Sequence, residues 1–142
     1  MNITRETDYA VRCVLYLAKY TDAVAIVDDI AREMEIPKSF LAKILQKLAK
    51  AAIVKSTRGV KGGFRLALEP SKISLLHVIE AVQGPLCLNV CLIDDKHCRR
   101  TTFCSVHPAW VEIQKTVERE LNAYDFGKFL KIESERSGAG GI

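Results

Sequence analysis

A chain of 142 residues with 49% apolar and 27% charged side chains is long enough for one compact domain plus an added element, and too apolar to stay disordered. No stretch nears the roughly 18 uninterrupted apolar residues of a membrane helix, and the first residues run into an amphipathic pattern rather than a signal peptide, so a cytoplasmic protein without a membrane partner is expected. The formal charge of +4 belongs to the first half, where residues 1–70 hold twelve Lys and Arg against eight Asp and Glu, while residues 71–142 hold nine of each.

Thr4 is placed to cap a helix over residues 4–20, because Tyr9, Ala10, Cys13, Val14, Leu17 and Ala18 recur at spacings of three and four. Residues 24–26 predict a short extended piece. Asp28 or Asp29 then starts a brief helix with Ile30, Ala31 and Met34 on one side, ending near Ile36. Pro37 suits a first helical position, and Phe40, Leu41, Ile44, Leu45 and Leu48 form the apolar stripe of the next helix. Two short helices joined by Glu35, Ile36 and Pro37 predict a helix-turn-helix.

Residues 53–57 and 64–68 predict two strands around Arg58-Gly59-Val60-Lys61-Gly62-Gly63, whose glycines supply the positive φ angles of a hairpin. Ser74 predicts the cap of a helix carrying Leu75, Val78, Ile79 and Val82, which Gly84-Pro85 ends. A loop of about twenty residues follows, long enough to suggest function. Beyond it, with Pro108 in the first turn, Trp110, Ile113, Val117, Leu121 and Tyr124 predict a helix with a narrow apolar seam that wants a partner helix. The expected fold is mainly α with a small β-wing: a winged helix-turn-helix domain (1–83), a cysteine-rich loop (84–107), a long C-terminal dimerisation helix (108–132) and a flexible tail (133–142).

Residues 38–65 contain eight basic side chains and no acidic one, a footprint for a polyanion. Lys38 and Ser39 fall at the second helix's N-terminus, where backbone amides can also meet phosphate. Ala42, Lys43 and Gln46 are placed towards base edges, and Lys47 and Lys50 towards phosphate. A lysine-rich face on a lone helix is ordinarily a solvated face. Arg58, Lys61 and Arg65 extend the same sign onto the adjacent hairpin, so double-stranded DNA is the expected partner.

Four of the five cysteines form the run Cys87-x3-Cys91-x6-Cys98-x5-Cys104-x2-His107. Thiolates at this density suit zinc or an iron-sulfur cluster. The Cys98 to Cys104 gap is too open for a usual zinc knuckle, and wide spacing lets a loop wrap a larger group. Cys13, on the apolar face of the first helix, reads as a small core residue. His77 reads as a helix-surface residue and His97 as an exposed loop residue. No paired carboxylates, nucleophile-base set or phosphate loop is present, so no enzyme is expected.

The opening Thr-x-x-x-Asp-Tyr-Ala-Val-Arg, the Arg58-Gly-Val-Lys-Gly-Gly-Phe64 wing, Ala81-Val-Gln-Gly84 and the Cys-x5-Cys-x2-His-x2-Trp run resemble the IscR, NsrR and RirA regulators over about residues 1–130. The resemblance implies a homodimer with crossed C-terminal helices, each winged domain reading one half-site of a pseudo-palindromic operator. It implies a transcriptional regulator, read as a repressor, that senses iron-sulfur status, redox state or nitric oxide through a 2Fe-2S or 4Fe-4S cluster. Three cysteines and one other ligand hold that cluster in such proteins. They map onto Cys91, Cys98 and Cys104, with Arg58 as the wing arginine of the minor groove.

The spacing departs from the family pattern by one extra residue between Cys91 and Cys98 and by the additional thiol of Cys87, so either Cys87 or Cys91 fits as first ligand. The fourth ligand is His107 on the IscR pattern or Asp8 on the NsrR pattern. The alternative readings are a zinc-stabilised winged-helix module and a cluster-free regulator controlled by a protein partner, as in CymR.

Overall fold

The fold is taken from a computed structural model that describes residues 2–93 and 98–140. Helix α1 (Arg5–Lys19) begins at Thr4, whose hydroxyl accepts the Thr7 amide at 3.1 Å, and Glu6 and Asp8 in its first turn complement the helix dipole. Its apolar face, Ala10, Cys13, Val14 and Leu17, is buried at the centre of the core. Helix α2 (Val27–Met34) starts one residue before Asp28. Ile26 occupies the cap position without a side-chain cap, and Asp28 and Asp29 sit in the first turn, where their charge still faces the positive helix end.

Glu35 ends α2 in the left-handed region at φ 55, and Ile36, buried, anchors the turn. Pro37 lies just before α3 (Lys38–Lys50) rather than within it; its ψ of 133 is extended, and the helical hydrogen bonding starts on its carbonyl. Leu41, Ile44, Leu45 and Leu48 of α3 are buried against α1 and α2, which fixes the opposite face outward.

Strands β1 (Val54–Thr57) and β2 (Gly63–Leu66) pair antiparallel in the register Val54↔Leu66 to Thr57↔Gly63. The extended piece expected at residues 24–26 becomes their third edge: Ala25 and Phe64 exchange two backbone hydrogen bonds of 2.8 Å each. Gly59, at φ +112, turns the wing, and Gly62 donates back to the Gly59 carbonyl at 2.9 Å.

Helix α4 (Leu75–Gln83) is capped by Ser74, which accepts the His77 amide at 3.1 Å, and stops before Gly84 at φ +86. After a short 3-10 turn at Val90–Leu92 come α5 (His107–Ala123) and α6 (Phe126–Gly140). The single helix expected over residues 108–132 is thus two, and residues 133–140, expected as a tail, belong to α6. The break has a local cause. Tyr124 turns extended, and the Asp125 carboxylate accepts the Lys128 amide at 2.9 Å, capping a new helix.

Two backbone bonds clamp the break to the start of α4: Leu75 donates to Tyr124 at 2.8 Å and Phe126 to Ile73 at 3.0 Å. Phe126 is fully buried in the core of the winged domain, and Glu133 pairs with Lys19 of α1. No helix among the described residues is long and apolar enough to cross a membrane.

Candidate nucleic-acid interface and cysteine loop

Packing on α1 and α4 leaves Ser39, Ala42, Lys43 and Gln46 of α3 exposed on one side. Ala42, Gln46 and Ala49 face Ser56 and Arg58 of the hairpin across a cleft of about 550 Å³, floored by Val27, Leu45 and Phe64. Helix and wing therefore flank a single groove, with Lys61 and Arg65 exposed on the wing side. Ser56 was not singled out from sequence; the period-2 alternation of β1 is the signal that would have placed it on the same face as the buried Val54, towards α3.

Two lysines differ from expectation in their surroundings. Lys38 pairs with Asp28 at 2.9 Å, but both are well exposed, so a phosphate can compete for it cheaply. Lys47, expected to reach phosphate, is instead half-buried, with its ammonium 2.8 Å from Glu6 and 3.3 Å from the Val82 carbonyl. It sits on the edge of α3 that faces α1 and α4. Lys50 is exposed in the last turn of α3.

The cysteine loop runs from Gly84 to the start of α5. Cys87, Cys91, Cys98 and Cys104 are all partly buried thiols, and His97 lies outside the described residues. The Cys87 thiol donates to the Asn89 carbonyl at 2.9 Å. Cys91 instead lines a cleft of about 310 Å³ with His107, Val111, Gln114, Lys115 and Glu118 of α5. His107 Nδ1 is buried with no hydrogen-bond partner among the described residues. Cys98 and Cys104 lie in successive turns, where Thr101 donates to the Cys98 carbonyl at 2.9 Å and the Cys104 amide to Arg100 at 2.7 Å.

Cys91 and His107 are thus brought together, while no three His, Cys, Asp or Glu side chains among the described residues are gathered into one ligand set. Asp8 is not in that cleft; within this chain it pairs with Arg12 at 3.2 Å. Gln114 escaped the sequence reading. Its carboxamide oxygen accepts the Leu88 amide at 3.0 Å and its nitrogen donates to Glu118 at 3.3 Å, which fastens the loop to α5. The spacing His107, Val111, Gln114, Glu118 is one helical face and would have revealed it.

Cys13 is a different kind of thiol. Fully buried on α1, it is pushed by desolvation up to about 12 from an ordinary 9.0. A protonated, covered thiol is a poor nucleophile. Iodoacetamide at neutral pH is expected to label loop cysteines and spare Cys13 until denaturant is added, as read by peptide mass spectrometry; labelling of Cys13 in the folded chain would contradict its burial.

A winged helix beside a cysteine loop is matched over residues 3–131 by the Rrf2 family, described as iron-dependent transcriptional regulators. The chain belongs to the Rrf2 family. It is 30% identical to IscR of Aliivibrio salmonicida, over 95% of this chain and 80% of that one, and 30% identical to NsrR of Bacillus licheniformis, over 87% and 83%. Among solved structures, T. potens IscR superposes with a TM-score of 0.76 at 24% identity, covering 96% of this chain and 90% of that one. CymR, the global cysteine regulator of B. subtilis, superposes at 0.74 with 23% identity, covering 93% and 98%. Both structural likenesses are to the fold. As a member of this family, the chain is a DNA-binding transcriptional regulator.

Proposed function

We propose that this regulator is a homodimeric repressor that senses iron-sulfur status, redox state or nitric oxide through an iron-sulfur cluster held in its cysteine loop. The single observation carrying the reading is the cleft shared by Cys91 and the hydrogen-bond-orphaned His107 at the head of α5. Thiolates and an imidazole are the donors such a cluster takes. Cys91, Cys98 and Cys104 with His107 would hold it. Cys91 is favoured over Cys87 because it lines the cleft, whereas the Cys87 thiol already has a partner in Asn89.

Bound there, a cluster supplies a redox- and nitric-oxide-reactive centre. The chain's own part is to order the loop. Gln114 holds Leu88, fixing the Cys87 to Cys91 stretch on α5, while the loop's far end enters α5 at His107. The loop joins α4 of the winged domain to α5, so its order biases how two winged domains are spaced.

The dimer reading rests on α5, which buries no residue within the chain and carries the seam Trp110, Ile113, Val117 and Leu121. On DNA, Ser39, Ala42, Lys43 and Gln46 would read the major groove, with Lys38 at phosphate and Arg58 and Lys61 at the neighbouring minor groove.

Anaerobic purification with iron and sulfide counted per chain tests the cluster. Brown protein with visible absorbance, lost in Cys98→Ala together with tight operator binding, is the expected result. Colourless protein holding zinc alone would assign the loop a structural metal. Iron-loaded parent and Cys98→Ala binding every operator equally would end the sensing role.

A further inference from the structure

The lysine that turned away from the DNA face belongs to a polar joint linking three helices. Lys47 of α3 reaches Glu6 of α1 at 2.8 Å and the Val82 carbonyl in the last turn of α4 at 3.3 Å. The next residue, Gln83, grips the start of α1: its oxygen accepts the Thr7 hydroxyl at 2.7 Å and the Thr4 amide at 3.3 Å, and its nitrogen donates to the Asn2 carbonyl at 3.2 Å. Thr7 is fully buried, the one buried polar side chain among the described residues. A satisfied polar group inside an apolar core tolerates few alternative packings, so such a joint specifies geometry more than it adds stability.

We infer that Lys47, Glu6 and Gln83 are positioning residues that set the angle of α3 for DNA, and that Lys47 does not itself hold phosphate. The remainder of α3's inner face is apolar and can slide, since Leu41, Ile44, Leu45 and Leu48 offer no directional bond. The Lys47 ammonium supplies the direction through its hydrogen bond to the Val82 carbonyl of α4, and the Glu6 carboxylate of α1 holds it there as an ion pair without hydrogen-bond geometry. The joint ends at Gln83, one residue before Gly84, where the cysteine loop leaves α4. It therefore links the root of that loop to the DNA-reading helix, and it operates whether or not the loop carries a cluster.

Electrostatics and positioning predict opposite signs at Glu6. This carboxylate shares a small hollow with Ser39, Phe40 and Lys43 on the outer side of α3. If Lys47 and Lys43 simply attracted the polyanion, neutralising Glu6 would release them and strengthen binding. If the joint orients α3, Glu6→Gln weakens binding although it removes a negative charge from the interface.

The probe is a duplex selected from a random-sequence pool by the parent full-length protein, bound across a salt series. Lys47→Met is expected to lower affinity roughly tenfold, as for residues that act through a packed element, with an unchanged slope of log affinity against log salt. Glu6→Gln is expected to weaken binding similarly, the double variant no further, and Lys47→Arg to recover most of the loss. Gln83→Leu reports the other arm of the joint and is expected to weaken binding in the same slope-preserving way. Thermal melts establish that each variant is folded at the assay temperature. The inference is overturned if Lys47→Met lowers the salt slope by about 0.9, the signature of one phosphate no longer neutralised. Stronger binding by Glu6→Gln, or additive losses in the double variant, would overturn it equally.

Discussion

Phe126→Ala is expected to remove about 3 to 5 kcal/mol of folding stability, the usual cost of emptying a fully buried aromatic site. Domains of this size hold only about 5–15 kcal/mol in total, so the variant should melt far below the parent. The ring has no exposed surface and meets Phe129 edge-on at 5.3 Å between centroids. Its backbone amide also completes the clamp on Ile73. Phe129→Ala, at a half-buried position on the same helix, should cost clearly less. Urea denaturation of the two variants decides whether α6 is part of the winged domain's core. A loss below about 1 kcal/mol for Phe126→Ala would mean that α6 does not dock there, since even partial burial of a Phe is worth more.

That α6 docks was not legible in the sequence, and the reason is physical. Trp110, Ile113, Val117, Leu121 and Tyr124 keep helical spacing right up to the break, so periodicity gives no sign that the helix stops there. The competing signal was Asp125, a good cap, but capping is worth about 1 kcal/mol and is easily outvoted by an apolar seam. What settles the matter is the long-range pairing of Tyr124 and Phe126 with Ile73 and Leu75, about fifty residues away, which no local pattern encodes. The serine and glycine content of residues 134–140 argued for fraying. Docking of Phe126, Phe129 and Glu133 onto α1 outweighs that propensity.

The helix-turn-helix, the hairpin and the caps at Thr4 and Ser74 were legible because each is written within a few residues. The wing needs its glycines, α3 its stripe and each cap its hydroxyl. Lys47 shows the limit of that legibility. Helical position put it beside Lys43 and Lys50, but which way a long lysine turns depends on what lies across the core, here Glu6 and a carbonyl of α4. The cysteine loop was legible as chemistry and not as geometry. Thiol density pointed to a candidate donor set, whereas the cleft that Cys91 shares with His107 is a tertiary feature of α5 that spacing along the loop does not carry.

Gly63→Val is expected to weaken DNA binding by tenfold or more and to cost roughly 2–4 kcal/mol of stability, from steric overpacking and the breaking of two backbone bonds together. A Cβ at position 63 would lie 2.3 Å from the Ala25 carbonyl oxygen and 2.9 Å from its carbon. Both are backbone atoms and cannot swing aside, so the hairpin must move instead. The two 2.8 Å bonds between Ala25 and Phe64 break, and with them the only backbone tie, among the described residues, between the wing and the start of α2. Arg58 and Lys61 then lose their fixed distance from Gln46 and Ala42 across the groove, and the helix and wing no longer straddle the duplex together. Because wing cations that fail to reach phosphate release no counterions, the salt slope should fall by about 0.9 for each phosphate left without its cation. This separates a displaced wing from the slope-preserving effect at Lys47. Gly59→Ala provides the contrast: nothing lies within 4 Å of its Cβ, so it strains the turn at φ +112 while leaving the Ala25 tie intact, and it should lose less on both measures. A Gly63→Val chain that stays folded and binds the selected duplex with parental affinity and slope would show that the wing takes no part in recognition.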